Sequence, residues 1–167
     1  MNPGTAFTFK VAATPREFEQ IHELNYRTFV EEIPQHETNP GRTMVDRFHP
    51  ENTYLVCLDG NRLVGMVAVR ATRPFSLDMK LADLDRYLPP GRSVCEIRLL
   101  SVEKRYRHGM VFAGLARLIF DFFGHHGYDL AVISGTVRQK RLYEHLGFVP
   151  FGPLVGTGDA VFQPMYL

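Results

Sequence analysis

Tryptophan is absent from the 167 residues, and cysteine occurs only twice, at Cys57 and Cys95. Both cysteines lie inside apolar runs, so they read as buried thiols rather than a disulfide framework or a metal set. No apolar run approaches the roughly 20 residues that a membrane span needs. The opening MNPGTAFTFK has no cationic stretch followed by an apolar core, so no signal peptide is visible. An excess of one charge is also missing: 19 Lys and Arg stand against 18 Asp and Glu. The net +1 removes a global electrostatic case for nucleic acid or an anionic membrane. With 45% hydrophobic and 22% charged residues, the chain has the balance of one globular domain over residues 1–167. The expectation is a soluble, cytoplasmic protein.

Hydrophobic patterning supplies the elements. Phe7, Phe9 and Val11 alternate with polar or small residues, as in a strand. Thr14-Pro15-Arg16-Glu17 has the form of a capping box with proline at the first helical position. Phe18, Ile21 and Leu24 then recur at helical spacing, predicting a helix to about Val30 or Glu31. Ile33 to Glu51 is rich in Pro, Asn, His and Gly, which is long for a connection and marks a functional loop. TYLVCL and LVGMVAVR flank Asp59-Gly60-Asn61 and predict a hairpin. Residues 74–92 read as irregular with a short helical piece. Val94–Val102 is a strand with Glu96 and Arg98 on one face, since side chains alternate. The segment after Met110 is apolar on every side, which predicts a helix packed in the middle of the domain. A short strand over Leu130–Ser134, a helix over Val137–Leu146 and a Gly/Pro-punctuated strand over Val149–Leu167 follow. The order β-α-β-β-(α)-β-α-β-α-β is an α/β sandwich with a mixed sheet. The closing FQPMYL leaves a longer chain or a homodimer open.

Two junctions carry candidate chemistry. The strand Val94–Val102, the basic turn Lys104-Arg105-Tyr106-Arg107-His108-Gly109 and the apolar helix form a strand, turn and helix N-terminus. Free backbone N–H groups and the positive end of the helix dipole favour a phosphate there. A solvated basic turn capping a core helix is the plainer reading, and spacing does not separate the two. The second junction is Arg138–Phe148, an amphipathic helix with Gly147 at its C-terminal cap. Leu142, Leu146 and Phe148 are its expected core residues, and Tyr143 a half-buried phenol that either packs or gives up a proton. His36, His49, His125 and His126 have no metal-ligand spacing, and His125-His126 follow a helix end, where they meet free carbonyls.

LYEHLGF is similar to the Tyr-Glu-Lys-Leu-Gly-Phe signature near the end of GNAT-superfamily acyltransferases. Val102–Gly114 occupies the place of that superfamily's pyrophosphate loop and following helix, and the element order agrees over essentially the whole chain. The loop departs from the usual pattern: Tyr106 stands three before Gly109, and Val111 replaces the second small residue. The combination of YRTFVEE, Asp46-Arg47-Phe48, the hairpin LVGM, Cys95-Glu96-Ile97-Arg98 and the closing PMYL resembles the N-acyl amino acid synthase and acyl-homoserine lactone synthase branch. Asn25 stands where that branch has Arg, and Ala68 where it has another, with Arg70 nearby. Glu96 and Arg98 are two apart rather than three. A lactone-forming synthase is not expected, and acyl-chain length is left open.

The resemblance implies a GNAT-like three-layer sandwich with a mixed, mostly antiparallel sheet flanked by helices. It implies transfer of an acyl or acetyl group from a pantetheine thioester to a primary amine by direct attack. The donor is acetyl-CoA, a longer acyl-CoA or the phosphopantetheine of acyl carrier protein, and no metal takes part. Cofactor contacts fall on Leu100, Ser101 and Val102 at the strand end, Arg105, Arg107 and His108 in the turn, and Gly109, Met110 and Val111 at the helix start. Glu96 is the candidate base, directly or through water, with an ion pair to Arg98 as its alternative. Tyr143 matches the acid that protonates the departing sulfur. Tyr26, Arg27, Phe29, Asp46 and Arg98 are candidate acceptor contacts, Asp46 and Arg27 for the ammonium and carboxylate. Partners are then a small-molecule amine and acyl carrier protein, and Gln139, Lys140 and Arg141 extend a basic rim. The alternative is a catalytically degenerate domain that binds an acyl thioester as a sensor or accessory module.

Overall fold

The computed structural model describes residues 6–167. The chain divides into two compact units, Met1–Val69 with Leu99–His125, and Arg70–Arg98 with His126–Leu167.

In the first unit, strand β1 (Phe7–Val11) pairs antiparallel with β2 (Asn52–Asp59), Phe7 opposite Asp59 and Val11 opposite Leu55. Gly60, at φ +59°, turns the chain into β3 (Arg62–Arg70), a neighbour of β2. Helix α1 (Pro15–Tyr26) opens on the expected capping box, with Thr14 Oγ1 accepting from Glu17 N–H. Ile21 and Leu24 of α1 bury against Tyr54, Val56, Leu63, Met66 and Ala68. A π-helical turn, Arg27–Glu32, continues α1.

The second long helix, α2 (Met110–His126), approaches β3 closely because Gly65 has no side chain. A Cβ at Gly65 would lie 2.6 Å from Val111 Cγ1, and one at Gly114 would lie 2.0 Å from Phe9 Cζ. Strand β4 (Val94–Val102) contributes its last residues to this unit.

In the second unit, the first half of β4 pairs parallel with β5 (Leu130–Thr136), Glu96 opposite Val132. The last strands are β6 (Val149–Pro150), β7 (Val155–Thr157) and β8 (Ala160–Tyr166). Strand β8 is antiparallel to β5, β6 and β7. Between β3 and β4 the chain is irregular, apart from a 3-10 turn at Leu84–Arg86. It is nevertheless a core element: Phe75, Leu77, Leu81, Leu84 and Leu88 pack with Val132 and Val155. Helix α3 (Lys140–His145) follows a 3-10 turn at Val137–Gln139.

Four expectations are corrected. The α-helical hydrogen bonding of α1 ends at Tyr26, and the π turn covers the remainder. Val149–Leu167 is three strands, because the chain bends at Gly152 and turns at Gly158, at φ +61° and +60°. Helix α2 fully buries only Val111 and Leu115, and Phe120 is 60% exposed, so its apolar circumference overstated its burial. Leu142 likewise stands 44% exposed on the outer side of α3, while Leu146 and Phe148 are half-buried. Both thiols are buried and free, and burial raises Cys57 to about 11 and Cys95 to about 12.

Candidate active site

Strand β4 is irregular where the donor chemistry was expected. Its ladder with β5 covers Val94–Glu96, and beyond it Leu99 adopts φ +56°. Left-handed backbone at a leucine inside a strand is strained, and such strain concentrates at functional sites. Leu100 is exposed, whereas Ser101 is buried with no partner for its hydroxyl. The chain then enters a 3-10 turn, Lys104–Tyr106. Gly109 at φ +105° leads into Met110, which is exposed, and Val111, which anchors α2. His108 is exposed.

Sequence reasoning did not foresee how the turn is secured. Tyr106 Oη donates to Asp59 Oδ2 at 2.6 Å, and Arg105 Nη2 donates to Tyr106 Oη at 2.8 Å. The hydrogen bond to Asp59 raises the phenol's pKa, holding it protonated. Arg107 Nε donates to Val102 O at 2.7 Å, and its two Nη atoms reach the Glu32 oxygens at 2.5 and 2.9 Å. That bidentate pairing lowers the Glu32 pKa. Glu103 accepts from Arg62 at 2.8 and 3.0 Å and from Arg27 at 3.2 Å. Beside the turn lies a cleft of about 430 Å³, lined by Arg27, Arg62, Lys104, Arg105 and Arg107 and by Glu31, Glu32 and Glu103. Five cations against three carboxylates leave a positive surplus suited to a phosphate. Arg62 was missed because only the hairpin's geometry brings it to this cleft.

The loop over residues 33–51 is held by a separate polar network. Asp46 Oδ2 accepts from Phe48 N–H at 3.2 Å and from Asn52 Nδ2 at 2.7 Å. Asn52 Nδ2 also donates to Tyr54 Oη, which lies 3.1 Å from His49 Nδ1. The His49 ring meets the His22 ring edge-on at 4.6 Å between centroids. Tyr26 is buried with its hydroxyl on the Asn39 backbone, and Phe29 is half-buried. Arg27 is therefore grouped with the basic turn and Asp46 with the loop network. Asn25 is fully buried with both amide atoms unpartnered, a costly arrangement that no sequence signal disclosed.

In the second unit, Glu96 is completely buried and tightly engaged. Its Oε1 accepts from Ser76 Oγ at 2.6 Å and Leu77 N–H at 2.9 Å. Its Oε2 accepts from Ser76 N–H at 2.8 Å and lies 3.5 Å from Arg98 Nε. The carboxylate thus fastens the irregular segment to β4. Tyr143 packs over Gly135, where a Cβ would lie 3.0 Å from its ring, and Tyr143 Oη donates to Gln139 Oε1 at 3.1 Å. Burial raises the phenol's pKa, against the opposing effect of a Thr136 hydrogen bond. A protonated phenol on the half-buried face of α3 is a competent proton donor. Among the described residues, no group of three or more His, Cys, Asp or Glu is placed to hold a metal. Nor is any helix among the described residues long and apolar enough to cross a membrane.

The mixed α/β architecture, its mostly antiparallel pairing and the strand-turn-helix at β4 and α2 are those of GNAT-like acyltransferases, and this chain is an acyltransferase. Over residues 20–167 it matches the N-acyl amino acid synthase FeeM family, and it belongs to that family. FeeM, an N-acyl amino acid synthase from uncultured soil microbes, superposes with a TM-score of 0.77 at 17% identity, over 97% of this chain and 90% of its own. The CoA-dependent acyl-homoserine lactone synthase BjaI, solved with SAM and isopentyl-CoA, gives 0.76 at 20% identity, over 96% and 82%. The acyl-homoserine lactone synthase LasI gives 0.73 at 13% identity, over 98% and 89%. No curated protein sequence matches.

Proposed function

We propose that the protein joins a fatty acyl group to the α-amine of an amino acid, taking the acyl group from a pantetheine thioester. Family membership over residues 20–167 carries this reading. The basic turn supports it, because the cleft beside it carries a positive surplus. Most cations of that cleft already face Glu32 or Glu103, which suits the single phosphodiester of carrier-bound phosphopantetheine better than the several phosphates of free CoA. Acyl carrier protein is therefore the favoured donor.

The amine attacks the thioester carbonyl, forming the new C–N bond, and the C–S bond breaks. The irregular backbone at Leu99–Ser101 supplies N–H donors to the developing oxyanion. Tyr143 delivers a proton to the departing thiolate. Three hydrogen bonds and the Arg98 contact engage both oxygens of Glu96, so of its two readings the ion pair with Arg98 is favoured. Glu96 then acts as a positioning residue for residues 76–77 and Arg98, and water takes the amine's proton.

Thermal-shift titration tests the donor. Acylated carrier protein should raise the melting temperature, with smaller stabilisation by acyl-CoA, since selective binding to the folded state stabilises it by mass action. Stronger stabilisation by acyl-CoA would reverse the donor assignment.

A further inference from the structure

The segment between β3 and β4 carries a cation that the proposed reaction has not used. Lys80 Nζ donates to Ser134 Oγ at 3.4 Å and lies 4.6 Å from the centroid of the Phe162 ring. Neither contact is anionic. The residue is exposed as a whole, but its ammonium is drawn over an aromatic face and partly stripped of water.

Register places this group on the face of the strands that carries Glu96. Glu96 stands opposite Val132, so by alternation Arg98 and Ser134 project from the same face of the sheet. Glu96 is committed to Ser76, Leu77 and Arg98. Loss of hydration lowers the Lys80 pKa, Glu96 opposes that shift, and the like charge of Arg98 adds to it. Lys80 and Arg98 thus bring two cations to the side of the strands where Glu96 is the carboxylate both interact with. An incoming carboxylate would relieve both the repulsion and the lost hydration, and the Ser134 hydroxyl offers it a further donor.

We propose that Lys80, with Arg98 on the same face, reads the carboxylate of the amino-acid acceptor and makes the enzyme select amino acids over plain amines. This inference rests on acyl transfer to an amine. It assigns the discrimination to a residue that no sequence motif marked.

Three acceptors of common side chain test it: the amino acid, its carboxamide and its decarboxylated amine. In the native protein kcat/KM should be highest for the amino acid. In Lys80→Met, which keeps an aliphatic stem over Phe162, the ratio of kcat/KM for amino acid to amine should fall about 10- to 100-fold, the range of a charged hydrogen bond. The fall should sit in KM for the amino acid, and Lys80→Arg should restore part of it. An unchanged ratio in Lys80→Met, or a native protein indifferent to the carboxylate, would overturn the assignment while leaving acyl transfer intact. A native protein that acylates none of the three from any donor would overturn the underlying reaction as well.

Discussion

Glu17 shows how much one side chain can secure at the residue scale. Its Oε2 accepts from the N–H groups of Ala13 and Thr14 at 2.7 and 3.1 Å, and Lys10 Nζ meets Oε1 at 2.7 Å. The Ala13 hydrogen bond above all, then Lys10, brings its carboxyl down to about 2 from 4.5. Because the folded value is the lower one, the stabilisation is complete above about pH 4.5 and is lost as pH falls towards 2. Urea midpoints should therefore drop across that window, and Glu17→Gln should flatten the drop. His22 has its own acid window. Burial first, and His49 second, hold its pKa below 6.5, so the unfolded chain takes the proton more readily. Neutral His22 thus permits full stability above pH 6.5, and stability declines below it. A His22→Gln variant should lose that higher step while keeping the one due to Glu17. For the proposed acid role, Tyr143→Phe should lower kcat at least tenfold with donor affinity retained, as removal of a general acid does. Unchanged turnover would remove Tyr143 from the chemistry. Glu96→Gln should lower kcat without moving the pH-rate profile, and disappearance of its acidic limb would restore Glu96 as the base.

At the scale of elements, contact between α2 and β3 depends on an absent side chain. Gly65→Ala would force Cβ into Val111 Cγ1 and to 3.2 Å from Leu115 Cδ1. Overpacking of that kind costs about 1–3 kcal/mol. Removing the opposing methyl groups in Val111→Ala should recover part of the loss, measured as a non-additive double-mutant cycle. Additive effects would mean that the helix shifts freely. These elements also mark which structure the sequence discloses. The capping box at Thr14 and the hairpin at Gly60 rest on residues a few positions apart, so local chemistry reveals them. The end of α1 was less legible, since the switch to i→i+5 hydrogen bonds in the π turn is marked by no breaking residue in Arg27–Glu32. The apolar circumference of α2 did not reveal which faces would stay uncovered, because composition does not identify a neighbour.

Across the whole molecule, residue type disclosed the candidate groups better than their partners. The basic turn and Tyr143 were visible because charge and motif are written in order along the chain. The partner of Arg107 was not, since Glu32 lies 75 residues away and meets it only after folding. Lys80 was hidden for the same reason: its surroundings come from Ser134 and Phe162, on two distant strands. Asn25 and Ser101 stand out only once burial shows their polar atoms unpartnered. The most direct measurement is mass spectrometry of the purified protein with a long-chain acylated carrier protein and mixed amino acids, with free thiol counted alongside. The predicted result is an N-acyl amino acid formed in a one-to-one ratio with released carrier thiol. Thiol release without N-acyl product, or no turnover from either carrier-bound or CoA-bound acyl groups, would contradict it.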